Sequence, residues 1–220
     1  MKNRDKRKIV KVYSIFYSLQ GESTFTGLPT VFIRLAGCNA GCSYCDTVDA
    51  CVSSGKEMSF EEIFEKIEAF GVNLVEVTGG EPLEQDSTKA FLNELVDKNY
   101  DVLLETNGLH KIKEINDKVN IILDIKTPGS GVADSIIDEN LNLTDRHIEY
   151  KFVVTSMKDF EFADNISQKY KLFKKGAVLV SPLKTVDLKE LAVKILETKE
   201  PFRLQLQQHK IIWGDVDFEC

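Results

Sequence analysis

Short apolar runs rich in β-branched and aromatic residues alternate along this chain with amphipathic stretches of helical period. The apolar runs have the length and composition of β-strands. They predict strands at residues 8–19, 30–37, 73–82, 101–108, 119–131, 147–155, 177–182 and 202–208. Apolar positions that recur every three or four residues predict helices at 59–70, 87–100, 157–169 and 186–198.

The helix at 59–70 has the clearest start. Ser59 and Glu62 have the spacing of a capping box, in which each side chain bonds the backbone N–H of the other residue. The sequence therefore predicts that the helix begins next to Ser59.

Strands that alternate with helices predict right-handed βαβ units and a parallel sheet. About six units favour an open or partial (β/α) barrel, since a closed eight-unit barrel usually needs about 250 residues. The 220 residues fit one domain, spanning 1–220, better than two.

Polar and glycine-rich segments follow several of these strands. They are GCNAGCSYCDT, TGGEP, ETNG and DIKTPGSG. The ligand site of a parallel barrel lies at the carboxyl ends of its strands. The four loops are therefore expected to meet on one rim.

The composition narrows the class of protein. A net charge of −7 argues against a general nucleic-acid-binding surface. No run is long and apolar enough for a membrane span, and the polar start MKNRDKRK lacks the apolar region of a signal peptide. Five cysteines, an odd number, are more typical of reduced thiols that bind metal or react than of a disulfide framework. We expect a cytoplasmic protein.

Three of the five cysteines, Cys38, Cys42 and Cys45, lie within eight positions. Structural zinc needs four ligands, and the fourth would have to be Cys51 or a distant histidine. A four-iron cluster usually takes four cysteines, so three on one loop would leave one iron open. An open coordination position is typical of a catalytic metal.

The spacing C-x3-C-x2-C, with the aromatic Tyr44 before the last cysteine, resembles the radical S-adenosylmethionine (SAM) superfamily. The resemblance implies a partial (β/α)6 barrel of α/β class and a 4Fe-4S cluster held by the three cysteines. It also implies that SAM binds the open iron and is cleaved to methionine and a 5′-deoxyadenosyl radical.

The same resemblance implies where SAM binds. Thr78-Gly79-Gly80-Glu81 resembles the superfamily's GGE motif, which holds the amino group of the methionine moiety. The loops that begin at Glu105 and at Asp124 also correspond to SAM-contacting positions. The latter often reads Ser-Pro-Lys in the family named next; here Lys126 matches that pattern and Asp124 does not. The residues expected to bind SAM are Gly80, Glu81, Glu105, Asp124 and Lys126.

Segments outside the cysteine loop resemble one family within this superfamily. The segments 18–23 and 31–38, the sequence Cys-Asp-Thr at 45–47 and the segment 205–210 are similar to 7-carboxy-7-deazaguanine synthases. Tyr44 stands where that family has Trp, and Ser23 stands where it has Gly. The similarity covers nearly the whole chain.

This second resemblance implies a homodimeric lyase that converts 6-carboxy-5,6,7,8-tetrahydropterin to 7-carboxy-7-deazaguanine with loss of ammonia, on the route to queuosine. It implies Mg2+ at Thr47 and a flavodoxin- or ferredoxin-type electron donor. Arg34 suits a substrate carboxylate because its guanidinium is planar and bidentate. The expected substrate-binding residues are Leu19, Gln20, Gly21, Glu22, Arg34, Thr78 and His209.

Two other functions agree with part of the pattern. A glycyl-radical activase would have the same cluster and SAM loops but would act on a protein. A non-catalytic iron-sulfur or zinc protein would explain the cysteines alone. It would give no reason for the GGE, ETNG and LQGE segments to lie on one rim.

Overall fold

The computed structural model describes residues 8–133, 137–144 and 146–214. Nine strands form one sheet in the order β3-β1-β2-β4-β5-β6-β7-β8-β9. The strands are β1 (Ile9–Leu19), β2 (Pro29–Leu35), β3 (Lys56–Ser59), β4 (Leu74–Gly79), β5 (Asp101–Thr106), β6 (Asn120–Asp124), β7 (Ile148–Val154), β8 (Val178–Pro182) and β9 (Phe202–Leu204).

From β2 to β9 every neighbouring pair is parallel. The prediction of an all-parallel sheet is wrong at the other edge. There β1 is antiparallel to both β2 and β3. The physical reason is the short connection of residues 20–28, which is long enough for a hairpin but too short for a crossover helix.

Seven α-helices are described. They are α1 (Val48–Val52), α2 (Phe60–Phe70), α3 (Thr88–Asp97), α4 (Asp138–Leu141), α5 (Met157–Tyr170), α6 (Leu188–Thr198) and α7 (Gln208–Trp213). The capping box of α2 is confirmed, since Ser59 and Glu62 bond each other's backbone N–H. None of the described helices has the length and apolar character needed to cross a bilayer.

Several boundaries differ from the prediction. The strand predicted at 119–131 ends at Asp124, and Pro128 begins a 3-10 turn. The strand predicted at 202–208 ends at Leu204 because α7 begins at Gln208. The pattern did not predict β3, α1, α4 or α7, which span four to six residues each and are too short to show a period.

The main core lies between the sheet and its helices. Alternate strand residues such as Val75, Val77, Leu104 and Leu123 point into it, together with Phe91 of α3. Successive strand residues face opposite sides of a sheet. The residues between these therefore line the other, inner face.

Candidate active site

The inner face changes from apolar to charged along the strands. Near the strand starts, Leu74, Leu103 and Ile122 form a small cluster with Phe25 packed against it. Polar residues follow at later positions on the same face. They are Glu76, Thr78, Glu105, Asp124 and Lys151. The charged half therefore lies toward the carboxyl ends of the parallel strands, where the cysteine loop also begins.

The loop of residues 36–47 leaves the end of β2 and is held by backbone hydrogen bonds to two other loops. The carbonyl of Gly37 accepts from Glu81 N–H (2.8 Å), and the N–H of Ser43 donates to Ser130 O (3.0 Å). Gly37 has a φ of 92°, a left-handed conformation that glycine adopts without strain. The loops after β2, β4 and β6 are thereby joined, as the sequence predicted.

Cys38, Cys42 and Cys45 are half-buried on this loop, and their thiols are free. In the described part of the chain, no three His, Cys, Asp or Glu side chains are grouped closely enough to hold a single metal ion. Each cysteine of a four-iron cluster binds a different iron. The three cysteine side chains are spaced more widely than the ligands of a single ion, and this is compatible with a four-iron cluster.

A fourth thiol lies beside the triplet. The Sγ of Cys51, on α1, is 3.6 Å from the Sγ of Cys45. Burial and the contact with Cys45 raise the pKa of Cys51 to about 12. Cys51 was not among the residues predicted to hold the cluster, and the helical turn of α1 brings it back toward the loop.

Gly80 lies against the cysteine loop with no room for a side chain. A Cβ atom there would come 2.2 Å from the carbonyl oxygen of Gly37 and 2.9 Å from the Cβ of Cys38. The second glycine of the GGE motif therefore allows the backbone after β4 to touch the cysteine loop.

The carboxylate of Glu81 is fully buried and accepts three hydrogen bonds from its own chain. The donors are Leu83 N–H (2.9 Å), Thr106 Oγ1 (2.7 Å) and Asn107 N–H (2.7 Å). Burial raises the pKa of Glu81 despite these donors. Glu81 thus joins the loops after β4 and β5, and one acceptor position remains on its carboxylate.

At the end of β6, Asp124 Oδ2 is paired with Lys126 Nζ at 3.1 Å, and this ammonium lies 6.0 Å from the ring centroid of Tyr44. Burial alone would raise the pKa of Asp124, but the nearby lysines outweigh it and hold the pKa below its usual value. Among the residues that the structure describes, Asp124 Oδ1 and Asn107 Nδ2 are buried and have no hydrogen-bond partner. Such orphaned polar atoms indicate a site for a polar ligand.

Lys151, on β7, is the centre of the charged half, and sequence reasoning missed it. Its ammonium contacts Glu22 (2.7 Å), Glu105 (2.5 Å) and Asp124 (3.5 Å). The signal in the sequence was a lysine inside the apolar strand IEYKFVV, all of whose residues are buried. A buried lysine requires charged partners.

Glu76, on β4, was also missed. Its carboxyl accepts a hydrogen bond from the amide of Gln20, and the carbonyl of that amide accepts from Glu22 N–H at 2.9 Å. Burial, together with the charge of Glu105, raises the pKa of Glu76 well above its usual value. The Gln20 side chain is therefore engaged within the protein.

The loop after β1 packs against the C-terminal segment. A Cβ on Gly21 would lie 2.1 Å from Nδ1 of His209. The carbonyl of Gly21 accepts from Gln208 N–H (2.9 Å), and Glu22 accepts from Gln207 Nε2 (2.5 Å). Burial lowers the pKa of His209, which favours the neutral imidazole. Two segments that are 185 residues apart thus form one wall of the site.

The backbone of Leu19 and Gln20, two of the expected substrate-binding residues, is partly hydrogen-bonded within the hairpin. Leu19 pairs with Pro29 at the end of β1. The N–H of Gln20 donates to Leu28 O (2.8 Å), and its carbonyl accepts from Gly27 N–H (2.7 Å). These bonds fix the hairpin and leave the second lone pair of the Gln20 carbonyl available.

Arg34 and Thr78 lie side by side on β2 and β4. The guanidinium of Arg34 is half-buried, 5.8 Å from the ring centroid of Phe16, and it makes no hydrogen bond or ion pair with any residue in the described ranges. The hydroxyl of Thr78 donates to Glu105 Oε2 at 3.1 Å. Arg34 therefore offers an unpaired cation beside a fixed carboxylate.

Thr47 lies at the start of α1, and its Oγ1 is 3.7 Å from Cys45 Sγ. The neighbouring Asp46 is paired with Lys210 of α7 at 3.0 Å. This pair connects the cysteine loop to the C-terminal segment that also carries His209.

The residues present fit a 4Fe-4S cluster and SAM. Three free cysteines form a soft thiolate ligand set, which suits iron-sulfur clusters. The neighbouring loops offer Lys126, the backbone at Gly80, and the unpaired atoms Asn107 Nδ2 and Asp124 Oδ1 for a zwitterionic, hydroxyl-rich molecule. The site is thus defined by thiols on one side and a charged inner face on the other.

Comparison with known proteins defines the class first. The family model of the Radical SAM superfamily matches residues 32–146, which contain the cysteine loop and the loops after β4, β5 and β6. The fold is similar to that of the crystal structure of QueE from Escherichia coli, with a TM-score of 0.75 and 22% identity over 95% of this chain and 100% of that chain. The predicted partial barrel is therefore confirmed, and the protein is a radical SAM enzyme.

The particular family follows from curated relatives. The 7-carboxy-7-deazaguanine synthase of Chlorobaculum tepidum is 39% identical, over 93% of this chain and 94% of that protein. The protein of the same name from Koribacter versatilis is 37% identical, over 93% of this chain and 97% of that protein. The chain belongs to the 7-carboxy-7-deazaguanine synthase family. Membership in the radical SAM superfamily implies that it uses a 4Fe-4S cluster and SAM.

Proposed function

We propose that this protein converts 6-carboxy-5,6,7,8-tetrahydropterin to 7-carboxy-7-deazaguanine with loss of ammonia, in the biosynthesis of queuosine and related 7-deazapurines. The observation that carries the proposal is the inner face beside the cysteine loop. On that face Arg34, which makes no hydrogen bond or ion pair with the described residues, lies beside Thr78, whose hydroxyl donates to the carboxylate of Glu105. A carboxylated pterin needs that combination, a cation for its carboxylate and acceptors for its N–H groups.

We assign the binding of the cluster and of SAM to the loops at the carboxyl ends of the strands, within a single domain. Cys38, Cys42 and Cys45 hold the cluster, and when bound the cluster and SAM supply one-electron chemistry that removes a hydrogen atom from the substrate. The residues assigned to SAM are Gly80, Glu81, Glu105, Asp124 and Lys126. The carboxylate of Glu81 already accepts three hydrogen bonds from the chain. The backbone of the GGE turn is therefore proposed to make the larger part of the contact with the amino group of SAM.

We assign substrate binding to the charged half of the inner face and to the wall that the loop after β1 forms with the C-terminal segment. Arg34 binds the substrate carboxylate, and Glu22 and Thr78 orient the ring. Leu19, Gln20 and Gly21 approach the ring with their backbone. His209, whose pKa is lowered by burial, is neutral near pH 7 and can both donate and accept a hydrogen bond.

Mg2+ is proposed at Thr47. The hydroxyl has no capping hydrogen bond in α1, so it is available to a hard cation. A single hydroxyl cannot complete the shell of Mg2+, which would take its other oxygen ligands from substrate and water. The ion would then bind together with the substrate carboxylate.

A homodimer is proposed from the exposed apolar side chains in the last part of the chain. α6, β9, α7 and the segment between β9 and α7 leave eight large apolar side chains exposed, which is typical of an interaction site. They are Leu188, Val193, Leu196, Leu204, Leu206, Ile211, Ile212 and Trp213. Leu196 is 77% exposed, so Leu196→Glu is expected to shift the protein from dimer to monomer in sedimentation equilibrium.

The electron donor is proposed to be a flavodoxin- or ferredoxin-type protein, because the cluster requires one electron in each activation. We place the reaction in the cytoplasm. The four described cysteines are free, and a reducing compartment keeps thiols available for a cluster.

The test is turnover by the reconstituted protein. The cluster is assembled without oxygen, and reductant, SAM, Mg2+ and 6-carboxytetrahydropterin are added. Formation of 7-carboxy-7-deazaguanine, followed by mass spectrometry, is expected for the wild type and for Cys51→Ser, and its loss is expected for Cys42→Ala. Release of 5′-deoxyadenosine with the pterin intact would contradict the proposal and would point to another substrate, with the glycyl-radical activase next in order.

A further inference from the structure

Lys151 connects three segments of the chain through a single ammonium group. Its side chain is only 5% exposed, and its partners come from the loop after β1 (Glu22), from β5 (Glu105) and from β6 (Asp124). An ammonium has three hydrogen-bond donors, and three carboxylates surround this one. Lys151 therefore holds together three carboxylates that are far apart in the sequence.

The three carboxylates do not depend on Lys151 equally. Asp124 has a second cation, Lys126, at 3.1 Å. Within the described ranges, Glu22 and Glu105 have no cation other than Lys151 inside ion-pair distance. Loss of Lys151 would leave two half-buried carboxylates facing each other without a counter-ion.

Each of these two carboxylates also accepts a hydrogen bond from an uncharged side chain. Glu22 Oε1 accepts from Gln207 Nε2 (2.5 Å), and Glu105 Oε2 accepts from Thr78 Oγ1 (3.1 Å). Lys151 binds the other oxygen of each group. Lys151 thus fixes one oxygen of each carboxylate. The other oxygen accepts one hydrogen bond and keeps a second lone pair for another donor.

We propose that Lys151 is a positioning residue that holds Glu22 and Glu105 in the orientation of a pair of acceptors for the N–H groups of the pterin. This inference rests on the proposed function, since it names the pterin as the molecule that the pair receives. Lys151 itself does not touch the substrate, because its three donors are already used within the protein. Its effect on SAM is smaller than its effect on the pterin. Of the five residues assigned to SAM, only Glu105 loses its cation, because Asp124 keeps Lys126.

The test compares cluster-loaded wild type, Lys151→Met, Lys151→Arg and the control Lys175→Met. Within the described residues Lys175 bonds the carbonyl of Leu141 (2.6 Å), and it lies outside the site. The dissociation constants of SAM and of 6-carboxypterin, an oxidised and unreactive analogue, are measured by calorimetry. Turnover with the tetrahydropterin separates KM from kcat, and thermal unfolding monitors the fold.

For Lys151→Met, the dissociation constant and the KM of the pterin are expected to rise by about tenfold or more, as for a charged hydrogen bond lost at one acceptor. The constant for SAM should change by less than about threefold. Lys151→Arg should recover part of the pterin affinity, and Lys175→Met should behave like the wild type. The proposal would be overturned if the dissociation constants of the pterin and of SAM rose equally, or if the dissociation constant of the pterin did not change.

A second variant guards against simple misfolding. Lys151→Met with Glu105→Gln removes one cation and one anion together, so it avoids most of the uncompensated charge. If Lys151→Met does not fold, this double variant is compared with Glu105→Gln alone: weaker pterin binding by the double variant supports the role through Glu22, and equal pterin binding contradicts it. A wild type that binds no 6-carboxypterin and turns over no pterin would instead overturn the proposed function, and this inference with it.

Discussion

The Cα of Gly21 faces the imidazole of His209 so closely that a Cβ atom there would lie 2.1 Å from Nδ1. The two residues come from opposite ends of the chain and form one wall of the charged inner face. The neighbouring bond from Gln208 N–H to the carbonyl of Gly21 fixes the same contact. The position of His209 is thus set by the absence of a side chain at residue 21.

Gly21→Ala is expected to displace His209 and to raise the KM of the pterin by about tenfold, the effect of one lost contact of roughly 1.4 kcal/mol. SAM affinity should change less than the KM of the pterin, because a Cβ at Gly21 would meet His209 and none of the residues assigned to SAM. Steady-state kinetics check the prediction. In a His209→Ala background the same substitution should have a much smaller effect, since neighbouring sites are not additive; full additivity would refute the steric explanation.

Gly80→Ala is expected to push the cysteine loop away from β4. The added Cβ would meet the carbonyl of Gly37 at 2.2 Å, and backbone atoms at that distance cannot yield as a flexible side chain can. We expect less iron per chain after reconstitution and weaker SAM binding, measured by iron analysis and calorimetry. Gly71→Ala is the control: it has a left-handed φ of 67° but no atom within 4 Å, so it should lower stability by about 1 kcal/mol and leave iron content unchanged.

Cys45 and Cys51 are expected to form a disulfide when the cluster is absent. Their sulfur atoms are 3.6 Å apart, and diamide, a two-electron thiol oxidant, would take two electrons and two protons from the pair. Peptide mass spectrometry after diamide treatment should show the Cys45–Cys51 link, and cluster assembly should then need prior reduction. Cys51→Ser should assemble its cluster without that step. A treated wild type that takes up iron as fast as Cys51→Ser would argue against the link.

Glu76→Gln is expected to stabilise the substrate-free protein near pH 7 and to have little effect near pH 4.5. The pKa of Glu76 is raised by burial in the folded state. Its favourable contribution is therefore present below the pKa of the unfolded state and is lost as the pH rises toward the folded pKa. Each unit of that shift corresponds to about 1.4 kcal/mol.

Denaturant unfolding at both pH values measures this difference for wild type and variant. The amide of glutamine keeps an oxygen that can accept from Gln20, so the contact itself is retained. A stability difference that is the same at both pH values would show that Glu76 does not titrate between them.

Local patterns in the sequence were sufficient for most elements and for the cysteine loop. The apolar stripe of α2 and its Ser59–Glu62 capping box depend on residues within four positions of each other, and both are present as predicted. The antiparallel β3 was not predicted because four residues show no period. Its pairing with β1 depends on residues 44 or more positions away.

The sequence by itself determined the order of strands and helices, the class of cofactor chemistry and the loops that carry it, because these depend on short motifs with fixed spacing. Only the tertiary structure decided which charged residues meet. Lys151, Glu22, Glu105 and Asp124 lie in four separate segments. Their ion pairs exist because the parallel strands bring Lys151, Glu105 and Asp124 together on one face and the hairpin after β1 brings Glu22 to them. Burial then sets the charge of Glu76 and His209, since desolvation depends on the packed surroundings of a group and not on its neighbours in sequence.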